Sequence, residues 1–300
     1  MRAAAERIRG HVRRTPLLRI EGDALGISPD VFCKLESLQP TGSFKVRGAT
    51  SLLAARDVPP TGVVAASGGN FGLAVAWAAA RLGHHATVFV PATSPAEKVD
   101  PIRRLGADVE VVDGFYAQAL AAAQDHAEAT GALAAHAYDQ REVVAGQGTA
   151  TLELLDDVAV DTLLVACGGG GLLAGAVAAA NGQVRIVAVE TQATPTLNAA
   201  RAAGHPVDVE VGGIAASALG ARRIGDLAWA AQPHVADALL VADADVVDAQ
   251  RRLWWAARLV AEPAGAVAIA ALTCGAYRPQ PDERVAVLVC GANTNPASVV

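Results

Sequence analysis

An α/β protein with mostly parallel sheets is the fold class that three features of this 300-residue sequence predict. Short uncharged runs rich in valine, leucine and isoleucine recur along it. Alanine-rich segments of helical length separate most of them, and glycine clusters stand where a run gives way to a helix. In chain order, Pro59-Pro60-Thr61-Gly62 is a turn signal, so 63–66 reads as a strand and 72–82 as the helix after it. Strands are expected again at 86–90 and 109–112, with helices at 117–130 and 145–155. Residues 163–166, 186–189 and 285–289 complete the set of expected strands. A small domain is expected at 55–135, inserted into a larger one built from 1–54 and 136–300. The sheets should be twisted and flanked by helices. No repeat, disordered tail or appended regulatory domain is expected.

Composition narrows the function. Half the residues (52%) are apolar, enough to bury a full core in one or two packed domains. A net charge of −6 without basic runs argues against nucleic acid and acidic membrane surfaces as partners. Cys33, Cys167, Cys274 and Cys290 are widely spaced, which suits reduced thiols and a cytoplasmic protein better than disulfides or zinc. No metal site is expected, since the paired histidines His84 and His85 point apart in any regular element. Residues 61–80 and 162–180 carry no charge and approach the length of a membrane span, but each has glycines at its middle and reads as strand, loop, helix. The first residues lack an apolar signal core, so export is not expected.

Lysine is rare here. There are three, Lys34, Lys45 and Lys98, and arginine carries most of the positive charge. Lys45 sits in Gly42-Ser43-Phe44-Lys45-Val46-Arg47-Gly48, between an aromatic residue and a turn. Arginine cannot replace an amine that forms a Schiff base, because guanidinium stays protonated. A solvated lysine at a helix start is the plainer reading, and the flanking glycines argue for a built site. Cys167-Gly168-Gly169-Gly170-Gly171-Leu172 lies between a strand and a helix, where consecutive backbone N–H groups and the helix N-terminus can hold a phosphate. Gly169, Gly171 and Ala174, with Glu190 after the next strand, also satisfy a dinucleotide fingerprint, which is weak alone. Ser67-Gly68-Gly69-Asn70 forms a second anion-binding turn, or merely caps its helix.

Together these segments resemble the serine/threonine dehydratase family of fold-type II pyridoxal-phosphate (PLP) enzymes, which includes serine racemase. The resemblance rests on Lys34 to Ala49, Arg14 to Leu18, Ser67 to Asn70, Ala145 to Thr149, Gly168 to Gly171, Glu262 to Ala266 and Cys290 to Asn293, in family order over essentially the whole chain. It implies the two-domain fold of that group, with PLP in the interdomain cleft and Lys45 as Schiff-base lysine and general base. It implies that Phe44 and Asn70 fix the ring, with Asn70 on its phenolic oxygen. Gly168, Gly169, Gly170, Gly171 and Leu172 would hold the phosphate, which protonates the leaving hydroxyl. Ser67, Gly68, Gly69 and Asn70 would hold the substrate carboxylate, and Cys290 would face the pyridine nitrogen as a neutral partner. Relatives often have histidine where Phe71 stands, and Ile214-Ala215-Ala216-Ser217 departs from their commoner pattern.

The expected reaction is α,β-elimination from L-serine or L-threonine, with another β-hydroxy amino acid lyase, a racemase or a β-replacement synthase as alternatives on the same scaffold. A non-catalytic PLP carrier and a nicotinamide dehydrogenase are the alternatives from other classes. The second acid of the cation site found in some relatives falls near Thr196, so Glu190 reads as an ordinary polar residue at a strand end. In racemases the resemblance places a second-face hydroxyl at the position of Gly68. Little racemisation is therefore expected here, with Gly68→Ser raising it. The partner is a small amino acid, and a homodimer is expected.

Overall fold

The computed structural model describes residues 1–114 and 116–299. Ten strands occur among them: β1 (Leu17–Ile20), β2 (Val31–Lys34), β3 (Val63–Ala66), β4 (Ala86–Pro91), β5 (Asp108–Val112), β6 (Leu133–Ala135), β7 (Thr162–Ala166), β8 (Arg185–Thr191), β9 (Val235–Val241) and β10 (Val285–Leu288). They form a six-stranded sheet, β1-β2-β10-β7-β8-β9, and a four-stranded sheet, β5-β4-β3-β6. Every neighbouring pair is parallel except β1 with β2. The expected α/β class with parallel sheets flanked by helices is what the chain adopts.

All six expected strands are present. They are the ones buried on both faces or rich in valine, such as β3, β4, β7 and β10, in which every residue is buried. Four others lie outside the expected set. β1, β6 and β9 are edge strands with partly exposed residues, and β2 ends on Lys34. Arg19, Lys34 and Asp237 break the apolar run by which a buried strand is recognised, and β6 is only three residues long.

Residues 145–155 do not form one helix. Helices Arg141–Gln147 and Thr149–Asp157 meet at Gly148. A side chain at Gly148 would lie 2.6 Å from the carbonyl oxygen of Gly175, and one at Gly175 would lie 2.7 Å from the Gly148 nitrogen. The backbones of two helices touch there, so both positions need glycine.

Each sheet has its own core. The largest cluster surrounds the six-stranded sheet. Two smaller ones cover the faces of the four-stranded sheet. Helix Lys45–Leu53 buries Val46, Ala49, Leu52 and Leu53 with the smaller sheet, although it follows the β2 region in sequence. Phe115, inside the expected small domain, and Val300, in the expected large one, lie outside the described residues. The uncharged stretches resolve into β3 with helix Asn70–Leu82 and β7 with helix Gly171–Ala180. Among the described residues no helix is long and apolar enough to cross a membrane.

Candidate active site

The glycine loops leave the C-terminal ends of β3 and β7, where open parallel sheets bind ligands. Lys45 reaches the same place through local backbone pairing. The Phe44 N–H donates to the Cys290 carbonyl at 3.0 Å, and the Ala292 N–H donates to the Gly42 carbonyl at 2.8 Å. The segment before Lys45 therefore extends the end of β10, and Lys45 is set beside Cys290. Lys45 Nζ donates to the carbonyl of Ala137 at 2.8 Å. It lies 5.1 Å from the Phe44 ring centroid and 5.8 Å from that of Phe71. Burial lowers the lysine to about 8, against the opposing pull of Cys290 and Glu262. An amine in that range is available unprotonated near neutral pH.

The glycine loop between β7 and its helix presents unused donors. Among the described residues no protein acceptor is placed against the N–H groups of Gly168, Gly169, Gly170 or Gly171. Gly170 has φ +85°, and a side chain there would meet Ile224 Cδ1 at 2.7 Å. The turn therefore depends on glycine. Lys45, Phe44, Asn70, Tyr138, Gly168 to Leu172, Glu262 and Cys290 line one narrow chamber. It adjoins a cavity of about 470 Å³ that Lys45, Ser67, Gly68, Gly69, Ser94 and Lys98 also border.

Asn70 is held from two sides. Its Nδ2 donates to Glu262 Oε1 at 2.6 Å, while its Oδ1 accepts from Asn293 Nδ2 at 2.7 Å. Asn293 Nδ2 also donates to the Thr41 carbonyl at 2.8 Å. The Asn70 amide orientation is thereby fixed, with one N–H left over. Burial raises Glu262 to about 7, with the Asn70 hydrogen bond and the charges of Lys98 and Lys45 opposing it. Glu262 also stands at the N-cap position of helix Pro263–Thr273, and Gly291 packs against its carboxyl group. Sequence reasoning quoted Glu262 and Asn293 within motifs but gave neither a role. It missed Ala137 altogether, since a backbone carbonyl leaves no mark in side-chain chemistry.

Ser67 does not cap the helix Asn70–Leu82 but closes the turn before it, where the Gly69 N–H donates to Ser67 Oγ at 3.3 Å. The N–H groups of Gly68, Asn70 and Phe71 have no protein acceptor among the described residues. The substitution Gly68→Ser meets an obstacle that the sequence hides. A Cβ at Gly68 would collide with Ser94 Oγ and lie 2.8 Å from Ser94 Cβ. Gly68→Ser, expected to raise racemisation, would therefore also have to displace Ser94.

Cys290 is buried, and its thiol donates to the Ala264 carbonyl at 3.3 Å. Burial pushes the thiol up, so it stays neutral. Glu190 is not an ordinary strand-end residue. It is fully buried, and Oε1 accepts from Thr196 Oγ1 at 2.9 Å and from the Leu197 N–H at 2.7 Å. Its Oε2 accepts from the Asn198 N–H and Nδ2 at 2.9 and 2.8 Å. A carboxylate so occupied holds the start of helix Thr196–Ala203 and is not free to receive a ribose.

Beneath the site lies a buried ion network. Arg47 pairs with Glu36 at 2.7 Å and with Glu153 at 2.7 Å, and Lys34 pairs with Glu153 at 2.8 Å. Two cations face two anions, so burial leaves no net charge. Lys34 is thus structural, which leaves Lys45 as the lysine of the inner chamber.

The family profile "Pyridoxal-phosphate dependent enzyme" matches residues 8–291. The chain belongs to the pyridoxal-phosphate-dependent enzyme family. It is 35% identical over 289 residues to the biosynthetic L-threonine dehydratase of Escherichia coli, covering 94% of this chain and 56% of that protein. This chain thus spans little more than half the length of that relative. Maize serine racemase superposes with a TM-score of 0.93 at 31% identity, over 99% of this chain and 94% of that one. The threonine deaminase of T.th. gives 0.91 at 33% identity, over 98% and 97%. Fold-type II is therefore the architecture, and PLP is the family's cofactor. The residues present fit it: an amine lowered by burial, four unused N–H groups for a phosphate, an oriented Asn70 amide and a neutral thiol.

Proposed function

We propose that the chain removes ammonia from L-threonine, L-serine or both by α,β-elimination, giving 2-oxobutanoate or pyruvate. The observation that carries the reading is Lys45 Nζ, held at 2.8 Å from the Ala137 carbonyl in a chamber walled by the glycine loop, Asn70 and Cys290. Similarity to threonine dehydratases over most of the chain supports it. We read 1–54 and 136–300 as the large, cofactor-holding domain and 55–135 as the small one, in a cytoplasmic homodimer.

PLP bound here supplies an imine-forming carbonyl and an electron sink for the pair released when the Cα–H bond breaks. Lys45 would hold the cofactor covalently, and its free amine would rest against the Ala137 carbonyl. Its lowered proton affinity lets the free amine take the Cα proton. The N–H groups of Gly168 to Gly171 would hold the phosphate, and Asn70 would direct its remaining N–H to the phenolic oxygen. Ser67 and the N–H groups of Gly68, Gly69 and Asn70 would hold the substrate carboxylate. Cys290 would offer the ring nitrogen a neutral neighbour. Loss of the β-hydroxyl as water, then hydrolysis of the resulting enamine, gives the 2-oxo acid and ammonia.

Racemisation is the second reading, supported by the likeness to maize serine racemase. Residue 68 contributes nothing to it, since glycine has no group to donate.

Borohydride treatment of the PLP-loaded protein, followed by peptide mapping, tests the assignment. The reduced cofactor should appear on Lys45. Labelling of Lys34 or Lys98 would remove Lys45 from the mechanism.

A further inference from the structure

The substrate loop lacks a side chain at Gly68, yet the space that side chain would take is filled. Ser94 fills it, from the turn after β4 where its N–H donates to the Pro91 carbonyl at 2.9 Å. Its Oγ lies within clashing distance of the Cβ that a side chain at residue 68 would carry, and its Cβ is 2.8 Å from that point. Ser94 borders the 470 Å³ cavity together with Lys45, Ser67, Gly68 and Gly69. No protein partner is placed against its hydroxyl among the described residues. The neighbouring Gly68 N–H is equally unused.

We propose that Ser94 is a substrate-contacting residue, supplying from a neighbouring strand end the hydroxyl that the Ser67–Asn70 loop lacks at position 68. A hydroxyl can both donate and accept, and Ser94 Oγ spends neither capacity on the protein. Beside free backbone N–H groups it forms one wall of an anion-accepting turn, and an amino-acid carboxylate is the group that turn suits. The hydroxyl thus donates to the substrate carboxylate alongside the Gly68 N–H. Ser67 Oγ accepts from the Gly69 N–H and keeps its own O–H for the same carboxylate.

The inference rests on the proposed amino-acid substrate, and the test separates the two. Three variants are compared: Ser94→Ala, Gly68→Ser and the double variant. The first readout is thermal unfolding of the cofactor-free proteins. Gly68→Ser should lower Tm by roughly 5 °C, since the crowded backbone turn must shift. Adding Ser94→Ala should recover part of the loss, because the Oγ clash is removed while the Cβ of residue 94 remains 2.8 Å away. Independent, additive shifts would show that Ser94 does not occupy the position and would overturn the proposal.

The second readout is titration of the PLP-loaded proteins with L-threonine and L-serine, followed by the change in visible absorbance and by 2-oxo acid release. Ser94→Ala should weaken binding by about tenfold, the worth of one hydrogen bond to a charged group, with kcat within about threefold. The double variant should restore binding to within about threefold, with its hydroxyl returned from the other side. Unchanged affinity in Ser94→Ala would overturn the contact. Saturable absorbance changes without any 2-oxo acid would instead sink the deamination reading, and leave the Ser94 contact to be judged by affinity alone.

Discussion

Lys45 and Glu262 titrate in opposite senses, and the cofactor-free protein should report both. Glu262 moves up from its usual 4.5 to about 7, so the native state holds a proton that the unfolded chain has released. Its contribution is fully present below pH 4.5 and fades as pH rises to about 7, by about 3 kcal/mol. Lys45 moves down from 10.5 to about 8, so the unfolded chain binds more protons between those values and stability rises there with pH. Urea midpoints should therefore fall between pH 4.5 and about 7 through Glu262, while Lys45 opposes above about pH 8 the loss that the buried thiols of Cys33, Cys167 and Cys290, all pushed up by burial, bring once pH passes 9. Glu262→Gln should flatten the acid limb, and Lys45→Met should steepen the alkaline fall. Unaltered limbs in these variants would assign the pH dependence to other groups. Cys290→Ser tests a third residue. A hydroxyl keeps both neutrality and the bond to the Ala264 carbonyl, so 2-oxo acid production should stay within about threefold of the parent. A hundredfold loss would mean that sulfur itself is needed.

At the scale of elements, helix Lys45–Leu53 is the part that places the amine, and Arg47 is its anchor. Its guanidinium is fully buried between Glu36 and Glu153, which lie on separate elements. Arg47→Met should cost about 3–5 kcal/mol in urea unfolding, because Glu36 is left buried without its partner. Arg47→Lys should fall between, since one ammonium cannot reproduce the fork that meets both carboxylates. A loss below about 1 kcal/mol would show that the network relaxes or admits water. This arrangement was only half legible beforehand. Lys45 and the glycine loop were readable because glycine clusters and a rare amine imply chemistry at one position, whereas Asn70 and Cys290 were reached through the family resemblance. The Arg47 network and the hold of Glu262 on Asn70 were not, because each joins residues far apart in sequence. Asn70 and Glu262 are 192 positions apart. The same limit explains β1, β6 and β9, edge strands whose half-exposed residues look like loop until a partner strand is in place. Ser94 belongs with them, since its meaning comes from a glycine 26 residues away, and nothing local to either position announces the other.

Across the whole molecule, loops from two sheets meet at one site. The six-stranded sheet brings Gly168 to Gly171 and Cys290, the four-stranded one brings Ser67 to Asn70, and Lys45 enters on a helix packed against the smaller core. A ligand touching both sheets stabilises the folded state by mass action. PLP should thus raise the melting temperature of the wild-type protein by several degrees, and that of Lys45→Met by less. The most direct test of the central claim is incubation of the PLP-loaded protein with L-threonine, measuring 2-oxobutanoate and ammonia together. The account predicts both products in equal amounts, with loss of at least a thousandfold in Lys45→Met. Neither product from wild type, or equal turnover by the variant without Lys45, would contradict it.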